Sequence, residues 1–472
     1  MIRDSIIVSV GSSWDYDPTS KHQIMKRLSR HNRVVWVNYH GSRRPTVGAA
    51  DIRAACTKLF EVARGVRRVS DTMVQVTPLV IPGARGGWLE ALHRRLLIGG
   101  IRRAIRYFYR DRPAPVQVWS FAPDVPFLVG RFDEAKYLYY CVDEFAEFEG
   151  YDAETIMRLE REQIEKADLV VATSQKLHRT KQAIRDDVVY VPHGVDYDHF
   201  TSAWQEEPAL PEDIRHLAGP VFGYFGLLHH WVDIELLREV AQLRPGYQFV
   251  LIGEVKVDLN GLDCLPNVHV LGRRAYADLP AYCAGFDAAM MLFRQNSMTE
   301  NVNPIKMQEY LAAGLPIVST PLPEADGFSP FVIMAKSADA FAAACDRVLV
   351  TWMRKDRATI SETVRTNGWE TRISRIEAAL AGSSSGLGRV SRASTRAACH
   401  VGASAKGEGR GESCVASSGG SGRVRSEDSA VACESSDKAR VLPPLGSAVS
   451  AEQSGPTYDE NEGFHVANAA LE

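Results

Sequence analysis

Short runs of apolar, β-branched residues alternate with longer stretches whose apolar positions recur every three or four residues, from the N-terminus to about residue 380. Runs of the first kind read as strands buried on both faces and stretches of the second kind as helices covering them, so the pattern predicts parallel α/β sheets. Two series are visible. The first predicts strands at 6–10, 34–37, 74–77, 116–119, 137–140, 169–172 and 188–191, with Ser174 capping a helix. The second predicts strands at 221–225, 249–252, 268–271, 288–293 and 316–319. A polar, Pro-containing stretch at 196–220 stands between them as a candidate linker. Two halves of the same kind predict two doubly wound, Rossmann-like domains facing each other across a cleft.

The pattern stops at about Gly382. Beyond it the composition turns to Ser, Gly and Ala, with Tyr458 and Phe464 as the last aromatics. Such a segment buries too little apolar area to offset the entropy of ordering its backbone, so 383–472 is expected to be a disordered tail, dispensable for chemistry.

The densest local signal is NPIKMQEYLAAGLPIVST, from Asn303 to Thr320. Asn303 suits a helix N-cap and Pro304 the first helical position. Met307, Tyr310 and Leu311 recur at the spacing of a buried face, and Gly314 suits the C-terminal stop. Lys306 is the odd residue, because a cation in the first turn opposes the helix dipole unless an anion sits beside it. A phosphate would resolve that conflict. Glu309, on the same face, can accept hydrogen bonds from a sugar diol. The other reading of this spacing is a surface Lys-Glu pair in the less favourable order.

Open parallel sheets bind ligands at the carboxyl ends of their strands. In the second half Gly226, Gly253 and Gly272 each follow a strand, which makes an edge where backbone can approach phosphates closely. Arg273 and Arg274 come next and can contact a phosphate or a base, although an Arg-Arg pair is also a common solvated surface feature.

Bulk properties change little. A 45% hydrophobic and 24% charged composition is ordinary for a soluble globular protein, and a net charge of -3 argues against nucleic-acid binding. There is no signal-peptide pattern and no apolar run long enough to span a bilayer, so a cytoplasmic location is expected. The eight cysteines show no metal-ligand spacing and no disulfide framework, and Cys56, Cys141, Cys264, Cys283 and Cys345 are expected to be reduced and mostly buried.

GYFG at 223–226, NVHVLGRRAYADLPAYCAGFDAAMMLF at 267–293 and NPIKMQEYLAAGLPIVST together resemble the nucleotide-binding domain of GT-B glycosyltransferases. The likeness is to glycosyltransferase family 4, in its group of capsule, teichuronic-acid and exopolysaccharide transferases. ADLVVATSQKL at 167–177 and VPHGVDYDHF at 191–200 resemble the end of that family's first domain, and NGWETRISRIEAAL at 367–380 resembles its helix that crosses back. The resemblance covers roughly residues 1–380. It implies an acceptor-side domain at 1–200, a nucleotide-sugar domain at 201–365, a returning helix at 366–382 and the tail.

The resemblance further implies hexosyl transfer from a UDP- or GDP-sugar to a glycan or lipid-linked acceptor, with retention and without metal or cofactor. Glu309 matches the residue that binds ribose. Asn303, Pro304, Ile305 and Lys306 fall where the diphosphate lies, and Gly226 matches the first donor loop. There are two departures. Asn301 stands where the family's first motif Glu is expected, with Glu300 one place out of register. Leu227, Leu228, His229, His230 and Trp231 replace the usual basic pair, which leaves phosphate neutralisation to Lys306 with Arg273, Arg274 or His230.

In the first half, Asp143 and Glu144 follow the 137–140 strand, where a carboxylate can orient an acceptor hydroxyl or stabilise an oxocarbenium-like sugar. A helix-capping acidic pair is the equal alternative. Gly11, Ser12 and Ser13 suit an acceptor-side loop or a simple turn. Asp15-Tyr16-Asp17 and Asp196-Tyr197-Asp198 match a DxD metal pattern but lie away from the glycine edge, as accidental matches would. His22 and His193 are more often packing or surface residues. Residues 88–112, from Trp88 to Arg112, mix Leu92, Leu96, Ile101, Ile105 and Phe108 with Arg94, Arg95, Arg102, Arg103, Arg106 and Arg110, interrupted by Gly99-Gly100. That stretch suits peripheral contact with anionic lipid, or an ordinary sheet-covering helix with a solvated face. A sugar-nucleotide 2-epimerase and a non-catalytic GT-B protein remain the alternative functions. GSSWDYD after the first strand is not the G-x-G-x-x-G loop of a nicotinamide enzyme.

Overall fold

In the first series β1 (Ile6–Gly11), α1 (Ser20–Leu28), β2 (Arg33–Asn38), β3 (Val66–Arg68), β4 (Met73–Val76), α2 (Gly87–Phe108), β5 (Val116–Ser120), β6 (Lys136–Cys141), α3 (Ala153–Lys166), β7 (Leu169–Ala172), α4 (Gln175–Gln182) and β8 (Val189–Tyr190) follow one another. The computed structural model describes residues 2–15, 18–39, 65–79, 86–110, 113–148 and 150–383, and the tail expectation from residue 384 onward lies outside them. The strands form one sheet in the order β3-β4-β2-β1-β5-β6-β7-β8, parallel except for the β3–β4 pair. Every β1 residue is buried. Ile6, Val8 and Val10 enter the core under α2, while Ile7 enters a second core continuous with the other sheet, as the period-2 strand geometry requires.

The second series runs α5 (Tyr197–Gln205), β9 (Val221–Phe225), α6 (Ile234–Leu243), β10 (Gln248–Ile252), β11 (Val268–Gly272), α7 (Leu279–Gly285), β12 (Ala288–Met291), α8 (Ile305–Ala312), β13 (Ile317–Ser319), β14 (Val332–Met334), α9 (Ala338–Thr351), α10 (Arg357–Glu362) and α11 (Trp369–Gly382). Its sheet order is β11-β10-β9-β12-β13-β14, all parallel, with the order reversing beside β9. That reversal opens a crevice at the carboxyl ends. Helix α11 returns to the first sheet, where Arg372 Nε donates to His193 O at 3.3 Å and Glu370 pairs with Arg27 at 2.8 Å.

Several expectations need correction. β3 and β14 are not legible in the sequence, because edge strands so short are set by their neighbours' hydrogen bonds rather than by an apolar run. The 196–220 stretch is not only a linker, since it contains α5, whose Phe200 stacks on Phe225 at 5.9 Å. Gly99-Gly100 does not interrupt α2. A Cβ at Gly100 would stand 3.4 Å from Pro78 Cβ, so the glycine serves a close approach instead. Ser174 does cap its helix, accepting from Leu177 N at 3.1 Å. Cys141, Cys283 and Cys345 are buried, Cys264 is exposed, and Cys56 lies outside the described residues.

Candidate functional site

The three predicted glycines form a contiguous edge. Gly226 N donates to Ile252 O at 2.8 Å, and Gly253 N donates to Gly272 O at 2.9 Å, which ties the ends of β9, β10 and β11 together. Gly226 and Gly253 have φ of 140° and 152°, a region that only glycine occupies without strain. A Cβ at Gly253 would fall 1.9 Å from Gly226 O. The backbones stack directly, which leaves no room for a side chain at position 253.

Lys306 reaches this edge from the first turn of α8. A Cβ at Gly226 would lie 2.1 Å from Lys306 Cε and 3.0 Å from Nζ, so the lysine stem crosses the glycine face to face. Asn303 is not the N-cap that its residue type suggests; Pro304 occupies that position and Ile305 begins the helix. Asn303 instead accepts from His193 N at 3.1 Å and donates to Glu324 at 2.7 Å. Glu324 also accepts from Gln175 N at 2.8 Å and Tyr190 OH at 3.1 Å. A buried carboxylate that binds both sheets outcompetes helix capping for this amide.

Glu309 is 7% exposed and accepts a long hydrogen bond from Tyr276 OH at 3.4 Å. Burial pushes its carboxyl up to about 7, against the opposing pull of Lys306 and of the Tyr276 hydrogen bond. Tyr276 OH accepts in turn from Gln23 Nε2 at 3.3 Å, and Gln23 Oε1 accepts from Arg27 Nη1 at 2.6 Å. This relay carries α1 of the first sheet to Glu309 of the second. His199 stacks on Tyr276 at 4.7 Å and fixes the ring. Gln23, Arg27, His199 and Tyr276 escaped the sequence reading, because nothing in their spacing marks residues that meet only across two sheets.

Other predicted residues are placed differently. Arg274 is held by Asp213 and Tyr282, at 2.9 and 2.8 Å, within the second domain, while Arg273 is exposed. Asn301 donates to Ser297 O at 2.7 Å, and Glu300 pairs with Lys176 at 2.6 Å across to the first sheet. His229 stacks on Trp231 at 4.3 Å, and burial, followed by His230 and Lys256, pushes it down to about 4. It is therefore neutral at pH 7 and offers no charge to a phosphate.

In the first domain Asp143 is buried at the carboxyl end of β6, where Cys141 Sγ donates to its carbonyl at 3.6 Å. Glu144 joins a buried cluster, because Lys181 Nζ lies 2.8 Å from both Glu144 and Glu160. Burial raises the Glu144 pKa, with Lys181 opposing. Gly11 O accepts from Tyr39 N at 2.7 Å, Ser12 O from Trp36 Nε1 at 2.9 Å, and Ser13 O lies 3.3 Å from His22 Nε2. Asp15 binds Arg67 and Asp196 binds Arg27, while Tyr16 and Asp17 lie outside the described residues. Among the described residues no group of three or more His, Cys, Asp or Glu side chains is arranged to hold a metal ion. None of their helices is long and apolar enough to cross a membrane.

Residues 219–350 match the family described as Glycosyl transferases group 1. A Bacillus subtilis (strain 168) protein named for teichuronic acid biosynthesis as a glycosyltransferase is 28% identical over 252 residues, which is 49% of this chain and 63% of that relative. The match thus spans less than two thirds of the relative's length. Sucrose-phosphate synthase from Thermosynechococcus elongatus superposes with a TM-score of 0.55 at 16% identity, covering 83% of this chain and all of that one. The Anabaena protein HepE, solved with UDP and glucose, gives 0.55 at 15% identity over 80% of this chain and 99% of its own. At these identities the solved structures establish the shared fold.

Proposed function

We propose that this chain, a GT-B protein of the group 1 glycosyltransferase type, moves a hexose from a UDP- or GDP-sugar to a glycan or lipid-linked acceptor in cell-surface polysaccharide biosynthesis. The observation that carries the reading is Lys306 lying across Gly226 at the carboxyl edge of the second sheet. The donor diphosphate sits against that glycine edge, where the Lys306 ammonium and the first-turn N–H groups of α8 offset its charge. Glu309 accepts from the ribose hydroxyls. The transferred sugar then faces the first domain, and Asp143 orients the acceptor hydroxyl or stabilises the oxocarbenium-like sugar as the bond to the nucleotide breaks. Retention, and catalysis without metal or cofactor, belong to this reading. The relative named for teichuronic acid biosynthesis supports the pathway class, and the UDP complex of the Anabaena protein supports the donor class.

Peripheral contact at the cytoplasmic face of the plasma membrane also fits. Trp88 on α2 is 73% exposed, and Arg95, Arg102, Arg103 and Arg106 are exposed along the same helix. Flotation with anionic but not zwitterionic vesicles, weakened by Arg95→Glu with Arg103→Glu, is the expected outcome.

Calorimetric titration of the protein with UDP, GDP and their common sugar conjugates tests the donor assignment. Selective binding of one base, followed by acceptor-dependent release of the diphosphate, is expected. Conversion of the donor sugar to its 2-epimer without acceptor would point to a 2-epimerase, and no binding to any nucleotide would leave a non-catalytic GT-B protein.

A further inference from the structure

At the amino edge of the second sheet, opposite the glycine edge, a cavity of about 300 Å³ is bordered by Asp287, Gly314, Pro316, Trp352, Arg354 and Arg357. That volume is at the small end of ligand pockets. Trp352 Nε1 is buried and makes no hydrogen bond among the described residues. An indole N–H is a donor only, so leaving it dry and unpaired is costly unless an acceptor fills the space. Arg357 is 7% exposed and bonds through Nη2 alone, to Phe286 O at 2.6 Å, Ala284 O at 3.3 Å and Cys283 O at 3.4 Å. Its Nε and Nη1 make no hydrogen bond among the described residues. Arg354 donates to Ala284 O at 3.1 Å and reaches Asp287 at 3.5 Å.

Two guanidinium groups thus share one small cavity, faced by one carboxylate that already accepts from Val221 N at 2.9 Å. Burial and the Arg354 charge push Arg357 down to about 10. An anion beside both arginines removes that repulsion and satisfies the indole.

We propose that this cavity is a second binding site, remote from the donor edge, for a small molecule carrying a phosphate group, held by Trp352, Arg354 and Arg357. Guanidinium groups are favoured partners of phosphate oxygens, and Arg357 keeps Nε and Nη1 donors that no carbonyl has taken, each open to one hydrogen bond from its own side of the group. The site adjoins the helix that carries Lys306. A Cβ at Gly314, which ends α8, would stand 2.8 Å from Arg357 Cα. An occupant that shifts Arg357 therefore bears directly on the far end of the donor helix. The proposal goes beyond the transferase reading and does not depend on it.

The test is calorimetric titration of the full chain with inorganic phosphate and with glucose 6-phosphate at constant ionic strength, in wild type, Trp352→Phe, Arg354→Gln and Lys306→Gln. The Phe variant keeps a ring against Phe331, whose centroid lies 4.7 Å from that of Trp352, and the Arg354 side chain is 60% exposed, so both variants should fold. Saturable binding of at least one probe is expected, weakened about tenfold by Trp352→Phe and by Arg354→Gln and retained in Lys306→Gln. Which probe binds distinguishes the free ion from a phosphate ester. No saturable binding, binding unchanged in both cavity variants, or loss in Lys306→Gln alone overturns the proposal.

Discussion

Lys306 Cε lies 2.1 Å from the point where a Cβ at Gly226 would stand, so the residue at 226 decides where the lysine goes. Gly226→Ala is expected to displace the ammonium and strain a backbone at φ 140°, lowering UDP or GDP affinity roughly tenfold while the free nucleoside binds almost as before. Paired calorimetric titrations of diphosphate and nucleoside check this. Equal losses for both would place the diphosphate elsewhere.

Glu309 gives the molecule a pH signature. Its carboxyl is raised to about 7 by burial, so the folded protein holds a proton that the unfolded chain has released above its ordinary carboxylate range. The associated stability is fully present below about pH 4.5 and is lost as pH rises through 7. Ionised Glu309 is the better acceptor for ribose hydroxyls, so nucleotide affinity should rise over the same interval. Glu309→Gln should flatten both profiles, and Glu309→Ala should weaken nucleotide binding roughly ten- to a hundred-fold. Urea melts and titrations between pH 5 and 8.5 are the measurements.

Tyr276 lowers the Glu309 pKa through its hydroxyl. Tyr276→Phe removes that hydrogen bond while keeping the ring stacked on His199, so the midpoint of the pH–affinity profile should move upward. A midpoint that stays put would mean the 3.4 Å contact contributes nothing.

Lys181 is buried between Glu144 and Glu160, both at 2.8 Å. Lys181→Met leaves two carboxylates buried without their cation, and a loss of about 3–5 kcal/mol is expected at neutral pH. Because protonation neutralises the carboxylates, part of that loss should be recovered in acid. Chemical denaturation of both proteins at two pH values measures it.

Asp143→Asn separates binding from chemistry. Donor affinity should be unchanged while kcat falls about 10²- to 10⁴-fold, as removal of an acid–base or charge-stabilising group produces. Coupled loss of donor affinity would assign Asp143 a structural role instead.

The chain's own pattern was enough for two parallel-sheet domains, because strands buried on both faces must be continuously apolar and their covering helices must repeat every three or four residues. It was enough also for the glycine edge and Lys306, since a cation in a helix's first turn and glycines after successive strands are visible without coordinates. Asn303 shows where such reading fails. Its residue type predicts a cap, but Glu324 and His193, distant in sequence, compete for its side chain and win. Tyr276, Gln23 and Arg27 leave no periodic trace, because their partners lie on another sheet. Glu144 and Arg274 were read as site residues from the strand ends they follow, and only the packed structure shows Glu144 paired with the buried Lys181 and Arg274 with Asp213 and Tyr282. Local propensity and periodicity act over a few residues and survive in the sequence. Competition for hydrogen bonds and charge between segments tens to hundreds of residues apart exists only once the chain has packed, and only the tertiary structure settles it.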